Sequence, residues 1–303
     1  MRILVTDGMD KTAMAQLREA CHEVVEQFYE PDQLGAALRE FDAVVVRSMT
    51  KVRANHIDEA KGGKLKLIIR GGVGVDNIDV KYAEEAGITV KNTPRASSES
   101  VAELAMAHMF SCSRYISIAG HTMREDKWEK KAYGKGIELK GKTLGIVGFG
   151  RIGQHLGVMA KAIGMTVIAF DIFHIPGIEE KLGIPYVEMD ELLEKSDFIS
   201  VHAPAVDGGA LINADRISKM KDGVVIINTS RGTNVDEDAL LAALESGKVR
   251  AAGLDVYAEE PAKNHALYCH PMVSCTPHIG AATVEAQKRI GAEIVDIITN
   301  FKA

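Results

Sequence analysis

The sequence predicts an α/β protein built from two doubly wound parallel sheets. Two observations carry this expectation. Short β-rich runs alternate with longer helical patterns along the chain, the rhythm of βα units whose parallel strands are joined by crossover helices. The alternation comes in two series, and 303 residues exceed the roughly 250 at which a single core stops growing, so two domains are expected.

The first series reads Ile3 to Val5, a weaker run around Val24 and Val25, Ala43 to Val46, Leu65 to Ile69 and Ile88 to Val90. It describes a small five-stranded domain. A long helical pattern follows from Ser98 to about Arg124, opened by Ser100-Val-Ala-Glu103, which fits a capping box, and it is expected to bridge the domains. The second series reads Thr143 to Val147, Thr166 to Phe170, Phe198 to Val201, Val224 to Ile227, Ala252 to Val256 and Val273 to Cys275. Six strands is the number in a full dinucleotide-binding sheet. After Pro277 the tail from Thr283 to Phe301 is helical, with Ile290, Ile294, Ile297 and Ile298 on one face, and is expected to return to the first domain. The domains are therefore expected to be 1–98 with 282–303, and 99–281.

Composition excludes several classes. Hydrophobic residues make up 46% and charged residues 26%, and no stretch approaches the roughly 18 apolar residues of a membrane helix. The start, Met-Arg-Ile-Leu-Val-Thr-Asp-Gly, turns polar too soon for a secretory signal, so a cytoplasmic chain is expected. Cys21, Cys112, Cys269 and Cys275 have no Cys-x-x-Cys spacing and fall in segments that read as helix or strand; neither a metal site nor a disulfide frame is expected. The net charge is −6 and no basic run occurs, which argues against nucleic acid and for a small-molecule partner.

Directly after the run Thr143 to Val147 comes Gly148-Phe-Gly150-Arg-Ile-Gly153, followed by a helical pattern from Gln154 to Ile163. The first glycine suits a tight turn, the second lets backbone approach a pyrophosphate, and the third packs helix on strand. The helix amino terminus then faces the phosphates. The next run ends at Asp171, at a spacing that suits a carboxylate on the adenosine ribose. Such an acid repels a 2′-phosphate, so NAD is expected rather than NADP. The second cluster, Gly71-Gly72-Val73-Gly74, lacks a third glycine and an opening helix, and reads as a loop where substrate meets backbone.

Ligands of open α/β sheets bind beyond the carboxyl ends of the strands. Three residues stand there: Arg231 in Asn228-Thr-Ser-Arg-Gly232, Glu260 in Tyr257-Ala-Glu-Glu-Pro261 and His278 in Thr276-Pro-His-Ile-Gly280. Together they suit hydride exchange with a 2-oxo acid. Arg231 can grip a carboxylate with two parallel hydrogen bonds, a geometry lysine lacks. His278 can give the carbonyl oxygen its proton, and Glu260 would hold the ring and favour imidazolium. Reduction then needs protonated His278 and oxidation needs it neutral. Taken singly, each of the three is more often a surface charge, a turn residue or a structural histidine. His202, in Val201-His-Ala-Pro204, is expected with Ala203 and Pro204 to offer backbone to the cofactor; His108 and His121 fall on the linking helix pattern.

This set of motifs, with Leu254-Asp-Val-Tyr-Ala-Glu-Glu-Pro261 and Thr276-Pro-His-Ile-Gly-Ala281, resembles the D-2-hydroxyacid dehydrogenases from about Asp42 onward. The resemblance implies a flavodoxin-like substrate domain, a Rossmann cofactor domain and a homodimer built on the cofactor domains. It places Val73 beside the nicotinamide, Arg151 and Ile152 at the pyrophosphate, and Asp255 near the carboxamide. The matching residues Thr229, Ser230, Gly280 and Ala281 are carried over as cofactor contacts, and Ser48, Gly72 and Gly74 as lining for the substrate carboxylate.

Within the family, Val46-Arg-Ser-Met-Thr-Lys-Val52 and Arg70-Gly-Gly-Val-Gly-Val-Asp-Asn-Ile-Asp79 are most similar to the D-3-phosphoglycerate dehydrogenase branch. That implies interconversion of 3-phosphoglycerate and 3-phosphohydroxypyruvate, the entry to the phosphorylated route to serine. Arg47 and Lys51, with Lys130 or Lys131 from a partner subunit, are the cations available for a phosphate. Two departures count: Val73 stands where that branch often has threonine, and no regulatory domain follows the closing helix, so feedback by serine is not expected. Reduction of glyoxylate or hydroxypyruvate is the enzymatic alternative. Formate dehydrogenase relatives have glutamine at the position of Glu260. The corepressor branch, which binds the same cofactor but grips other proteins, is the non-enzymatic alternative.

Overall fold

The computed structural model describes residues 1–206 and 208–302. Contacts divide the chain into two compact units, Met1–Ser98 with Ala281 onward, and Glu99–Gly280. In the first unit the order is β1 (Arg2–Val5), α1 (Lys11–Glu19), β2 (Glu23–Glu26), α2 (Pro31–Leu38), β3 (Ala43–Val46), α3 (Ala54–Ala60), β4 (Leu67–Arg70), α4 (Val80–Glu85) and β5 (Thr89–Asn92). All neighbours pair in parallel in the order β2-β1-β3-β4-β5.

Helices α5 (Ser98–Arg114) and α6 (Ile116–Arg124) open the second unit. They are followed by β6 (Thr143–Val147), α7 (Arg151–Ala162), β7 (Thr166–Phe170), α8 (Ile178–Leu182), α9 (Met189–Lys195) and β8 (Phe198–Val201). Then come α10 (Ala214–Lys219), β9 (Val224–Asn228), a 3₁₀ turn at Gly232–Asn234, α11 (Glu237–Ser246), β10 (Val249–Leu254), α12 (His265–Tyr268) and β11 (Val273–Cys275). The six strands are parallel in the order β11-β10-β9-β8-β6-β7, and a parallel bridge from Ala169 of β7 to Tyr186 takes the place of the further outer strand of the Rossmann order. Helix α13 (Val284–Asn300) closes the chain in the first unit.

Both sheets are covered on two faces, which is why their strands read as continuous apolar runs. In the second sheet Ile146, Val225 and Ile227 pack into one core, whereas Val147, Val224 and Ile226 pack into the other. Ile290, Ile294 and Ile298 of α13 fill the core under Ile3, Val5 and Leu67, with Ile297 at its margin. Thr283 caps this helix by accepting from Ala286 N at 3.0 Å.

Local expectations need correction in six places. The single helix from Ser98 to Arg124 is broken at Tyr115, whose φ is +57°. Neither glycine nor proline marks the break; the Tyr115 hydroxyl accepts from Arg250 Nη2 at 2.8 Å and donates to Lys135 O at 3.1 Å, so contacts distant in sequence hold it. Helix α5 already begins at Ser98, which puts Ser100 inside the first turn and removes the capping-box role. Helix α7 starts at Arg151, directly on the glycine turn. Ala281, expected with the cofactor domain, groups with the first unit, where its carbonyl accepts from Gln287 Nε2 of α13 at 2.8 Å. Cys21 and Cys269 lie just past helices α1 and α12 rather than within them. Strand edges move by up to three residues, the largest being β10, whose ladder reaches back to Val249 through a register shift before Ala251. No helix of the described residues is long and apolar enough to cross a membrane.

Candidate active site

The cofactor half of the site lies past β6, β7 and β8, and its three glycines do different work. Gly148 has φ +94°, and a Cβ there would fall 2.6 Å from Ala203 N. A Cβ on Gly153 would strike the carbonyl of Gly148, so helix and turn meet there without a side chain. At Gly150 a Cβ would meet nothing within 4 Å. No packing among the described residues requires that glycine; the open space beside the first turn of α7 is the cradle a pyrophosphate needs. The free amides of Arg151 and Ile152 start the helix there, with no side-chain cap competing for them.

Asp171, at the end of β7, turns both carboxylate oxygens to backbone. Its Oδ2 accepts from Phe149 N at 2.6 Å and its Oδ1 from Phe173 N at 3.0 Å. The acid therefore fixes the glycine turn and retains lone pairs for a ribose. Past β8, His202 N donates to Val147 O at 2.7 Å, and Ala203 O accepts from Asn234 Nδ2 at 2.9 Å. Pro204 follows, exposed. The His202 ring shares a hydrogen with Ser200 Oγ at 2.8 Å, its Nδ1 is buried without a partner, and burial pushes its pKa down to about 3. It is a neutral ring under the turn.

The reactive half lies past β9, β10 and β11, three adjacent strands, so Arg231, Glu260 and His278 come from neighbouring loops. Buried Asn228, the last residue of β9, builds the first loop: its Oδ1 accepts from Ser230 N and Ser230 Oγ, and its Nδ2 donates to Arg231 O at 2.8 Å. Thr229 and Ser230 are buried in this turn, and Arg231 Nη1 donates to Ser230 O at 2.7 Å. Gly232 lies so close to Tyr257 that a Cβ would collide with its carbonyl. That contact brings the arginine loop against the glutamate loop.

Glu260 Oε2 and His278 Nδ1 are 2.7 Å apart, and Glu260 Oε1 accepts from Tyr257 N at 3.3 Å. Burial raises the Glu260 pKa, but the hydrogen bond and charge of His278, the Tyr257 amide and the charge of Arg231 outweigh it, leaving the carboxyl below its ordinary value. With Nδ1 facing the carboxylate, Nε2 is the nitrogen left for a substrate. His278 has φ +54°, a conformation that costs a non-glycine residue roughly 1–2 kcal/mol. Asp255 holds it there. The Asp255 carbonyl accepts from His278 N at 2.8 Å, and its buried carboxylate accepts from Ile279 N and Gly280 N, each at 2.8 Å.

The residues expected at the substrate end share an edge of the first sheet, past the adjacent strands β1, β3 and β4. Asp7 organises the loop carrying Arg47 and Ser48, accepting from Arg47 N at 2.7 Å, Thr50 N at 3.0 Å and Thr50 Oγ1 at 2.5 Å. Asn77 Nδ2 bridges the carbonyls of Arg47 and Thr50, each at 2.7 Å. In the glycine-rich loop a Cβ on Gly72 would collide with the Arg70 guanidinium; Gly72 O accepts from Thr93 N at 3.0 Å and Val73 O from Asn92 Nδ2 at 2.6 Å. Val73 and Gly74 stand at the surface of this unit. Sequence reasoning missed Asp7, Asn77, Asn92, Asn228 and Asn234. Asp7, Asn77, Asn92 and Asn234 act on backbone atoms of loops distant in sequence, whereas Asn228 ties its own turn; for Asp7, Asn92 and Asn228 a place at or just past a strand end was the hint.

Residues 106–280, more than half of the chain, match the family model described as the D-isomer specific 2-hydroxyacid dehydrogenase, NAD binding domain. The chain belongs to the D-2-hydroxyacid dehydrogenase family. It is 48% identical to a hydroxypyruvate reductase of Thermotoga maritima over 98% of this chain and 97% of that protein. It is 43% identical to a D-3-phosphoglycerate dehydrogenase of Methanocaldococcus jannaschii over 98% of this chain, but spans only 57% of that relative. Among solved structures, the D-lactate dehydrogenase of Aquifex aeolicus complexed with NAD and lactic acid matches with a TM-score of 0.85 and 31% identity, over 98% of this chain and 94% of that one. The chain is accordingly an oxidoreductase whose cofactor is NAD, and the open cradle at Gly150 fits that assignment.

Proposed function

We propose that the protein interconverts a three-carbon 2-oxo acid of the hydroxypyruvate type and its D-2-hydroxy acid, with His278 as acid–base residue, Glu260 as its orienting carboxylate and Arg231 as the carboxylate clamp. The observation that carries this is the 2.7 Å pairing of His278 Nδ1 with Glu260 Oε2 beside Arg231, past three adjacent strands of an NAD-binding sheet. NAD, when bound, supplies or accepts the hydride. His278 Nε2 delivers a proton to the carbonyl oxygen in reduction and removes it in oxidation, while Glu260 keeps the ring oriented and offsets its charge. Gly148, Gly150, Gly153, Arg151 and Ile152 would hold the pyrophosphate, Asp171 the ribose, and Val73, Asp255, Thr229, Ser230, Gly280, Ala281 and the backbone from His202 to Pro204 the remainder. Ser48, Gly72 and Gly74 would receive the substrate carboxylate.

Two relatives' names support this substrate class, one a hydroxypyruvate reductase matched over nearly its full length and the other a phosphoglycerate dehydrogenase. Arg47 and Lys51 on the first sheet's edge support 3-phosphohydroxypyruvate and with it a place in serine synthesis. A panel of hydroxypyruvate, 3-phosphohydroxypyruvate, glyoxylate and pyruvate, each with NADH and NADPH, tests the assignment. Preference for hydroxypyruvate or its 3-phosphate with NADH is the expected result, and the ratio between those two decides the phosphate. NADH binding without turnover of any member would replace the enzymatic reading with the corepressor one. The same proposal includes a homodimer through the second unit, supported by Ile116, Met123 and Trp128, which are 58%, 53% and 78% exposed. A monomeric mass at micromolar concentration in sedimentation would exclude it.

A further inference from the structure

Behind the reactive loop lies a buried histidine for which hydride exchange has no direct use. His108, in the middle of α5, is buried, and both ring nitrogens meet hydroxyls: Nδ1 is 3.0 Å from Ser274 Oγ and Nε2 is 3.0 Å from Thr276 Oγ1. Strand β10 makes room for it, because a Cβ on Gly253 would lie 2.6 Å from the His108 Cβ. Glycine inside a strand marks such a close approach.

The donors and acceptors can be assigned from one end of the chain of contacts. Thr276 Oγ1 donates its only hydrogen to Asp255 Oδ1 at 2.6 Å, since a carboxylate can only accept. Thr276 Oγ1 must then accept from His108, which places the proton on Nε2. Nδ1 is left as acceptor for the Ser274 hydroxyl. Burial lowers the His108 pKa and the Asp255 charge raises it, with burial prevailing, in keeping with a neutral ring holding one proton.

The line therefore runs Ser274 to His108 to Thr276 to Asp255, and ends on the carboxylate that grips the amides of Ile279 and Gly280, the two that directly follow His278. We propose that His108 is a positioning residue of the active site: as the Nε2–H tautomer it fixes the Thr276 hydroxyl on Asp255 and thereby keeps the left-handed His278 backbone, and its imidazole, aimed past Glu260. This rests on His278 being the acid–base residue, and it adds a residue from a helix that contributes nothing to the reacting groups themselves.

The test uses the full chain with His108→Leu, His108→Gln, Thr276→Val and Thr276→Ser. Glutamine can still accept with its oxygen and donate with its nitrogen, and serine keeps the hydroxyl; leucine and valine cannot. Two readouts are taken: the kcat and KM for hydroxypyruvate with NADH, and the downfield proton resonance of the His278 Nδ1–H bonded to Glu260, which needs no turnover. Expected are ¹⁵N shifts that place the His108 proton on Nε2, and a fall in kcat of fivefold or more in His108→Leu and Thr276→Val. The His278 resonance should broaden or shift in those two, and glutamine and serine should restore most of both signals. A proton on His108 Nδ1, or leucine and glutamine variants alike in kcat and resonance, would overturn the proposal. If His108→Leu does not fold, the Thr276 pair decides by the same criteria. If the parent turns over no 2-oxo acid, the acid–base role of His278 fails, while the resonance still decides whether His108 positions the ring.

Discussion

The neutral His202 ring predicts how the cofactor edge responds to acid. Its pKa is pushed from 6.5 down to about 3 by burial, and its Nδ1 faces no acceptor, so the folded chain refuses a proton that the unfolded chain accepts. Between those two values the unfolded state binds more protons, so stability rises with pH; this contribution is complete above pH 6.5 and is lost as pH falls toward 3. At pH 4.5 the unfolded imidazole is favoured by two logarithmic units of proton binding, while the folded one is still neutral, which gives a loss of roughly 3 kcal/mol. His202→Gln, which can still bond Ser200 but does not titrate, should lack this loss. Native-state hydrogen exchange at Ile199 and Val201, corrected for intrinsic rates, measures it as the parent-minus-variant change in opening free energy between pH 7 and pH 4.5. A differential below about 1 kcal/mol would refute the reasoning.

Three further outcomes follow from the packing and the chemistry. His278→Ala should lower kcat by roughly 10²–10⁴ with NADH binding retained, and Glu260→Gln by about tenfold, both read in steady-state assays; wild-type turnover in the alanine variant would remove the acid–base assignment. Gly150→Val should fold with parental melting behaviour, since a Cβ there meets nothing within 4 Å, yet lose NADH binding by fluorescence titration; undiminished binding would show that the open space is not the cofactor's. Ile294→Ala should cost about 2–5 kcal/mol in denaturant unfolding, because the 1% exposed side chain fills the core between α13 and the first sheet; a cost under about 1 kcal/mol would mean that the core closes over the gap.

How much of this was legible depended on whether a residue's partner lies near it in sequence. The strands were readable because a buried parallel strand must be apolar on both faces, and the strand-end rule then brought Arg231, Glu260 and His278 to one edge before any coordinate was known. The break at Tyr115 was not readable, since Arg250 and Lys135 hold it from elsewhere in the chain. Asn234 looks like an ordinary loop asparagine until Ala203 O is seen to be its partner, whereas the partners of Asn228, Ser230 and Arg231, lie within three residues and only its burial at the end of β9 was hidden. His108 falls on the linking helix pattern in the sequence, which gives no sign of the two hydroxyls on β11 and just past it that its ring meets.

The acid after β7 shows the same principle acting on specificity. Asp171 was expected to select NAD by repelling a 2′-phosphate, yet its two oxygens also hold Phe149 N and Phe173 N. A substitution aimed at NADPH therefore does two things at once. Asp171→Asn keeps one accepting oxygen and replaces the other with a donor that faces a backbone N–H, so one loop amide loses its acceptor; Asp171→Ser shortens the side chain and gives up at least one of the two. An unmade buried or half-buried bond of this kind costs about 1–3 kcal/mol. NADH affinity should fall by more than loss of the ribose contact alone, and added Arg or Lys nearby would restore NADPH binding only in part, because it cannot supply an acceptor to Phe149 N. Titration of NADH and NADPH into Asp171→Asn and Asp171→Ser, alongside exchange protection of the Phe149 amide, checks this. Full protection in both variants would confine Asp171 to the ribose and remove its part in the turn.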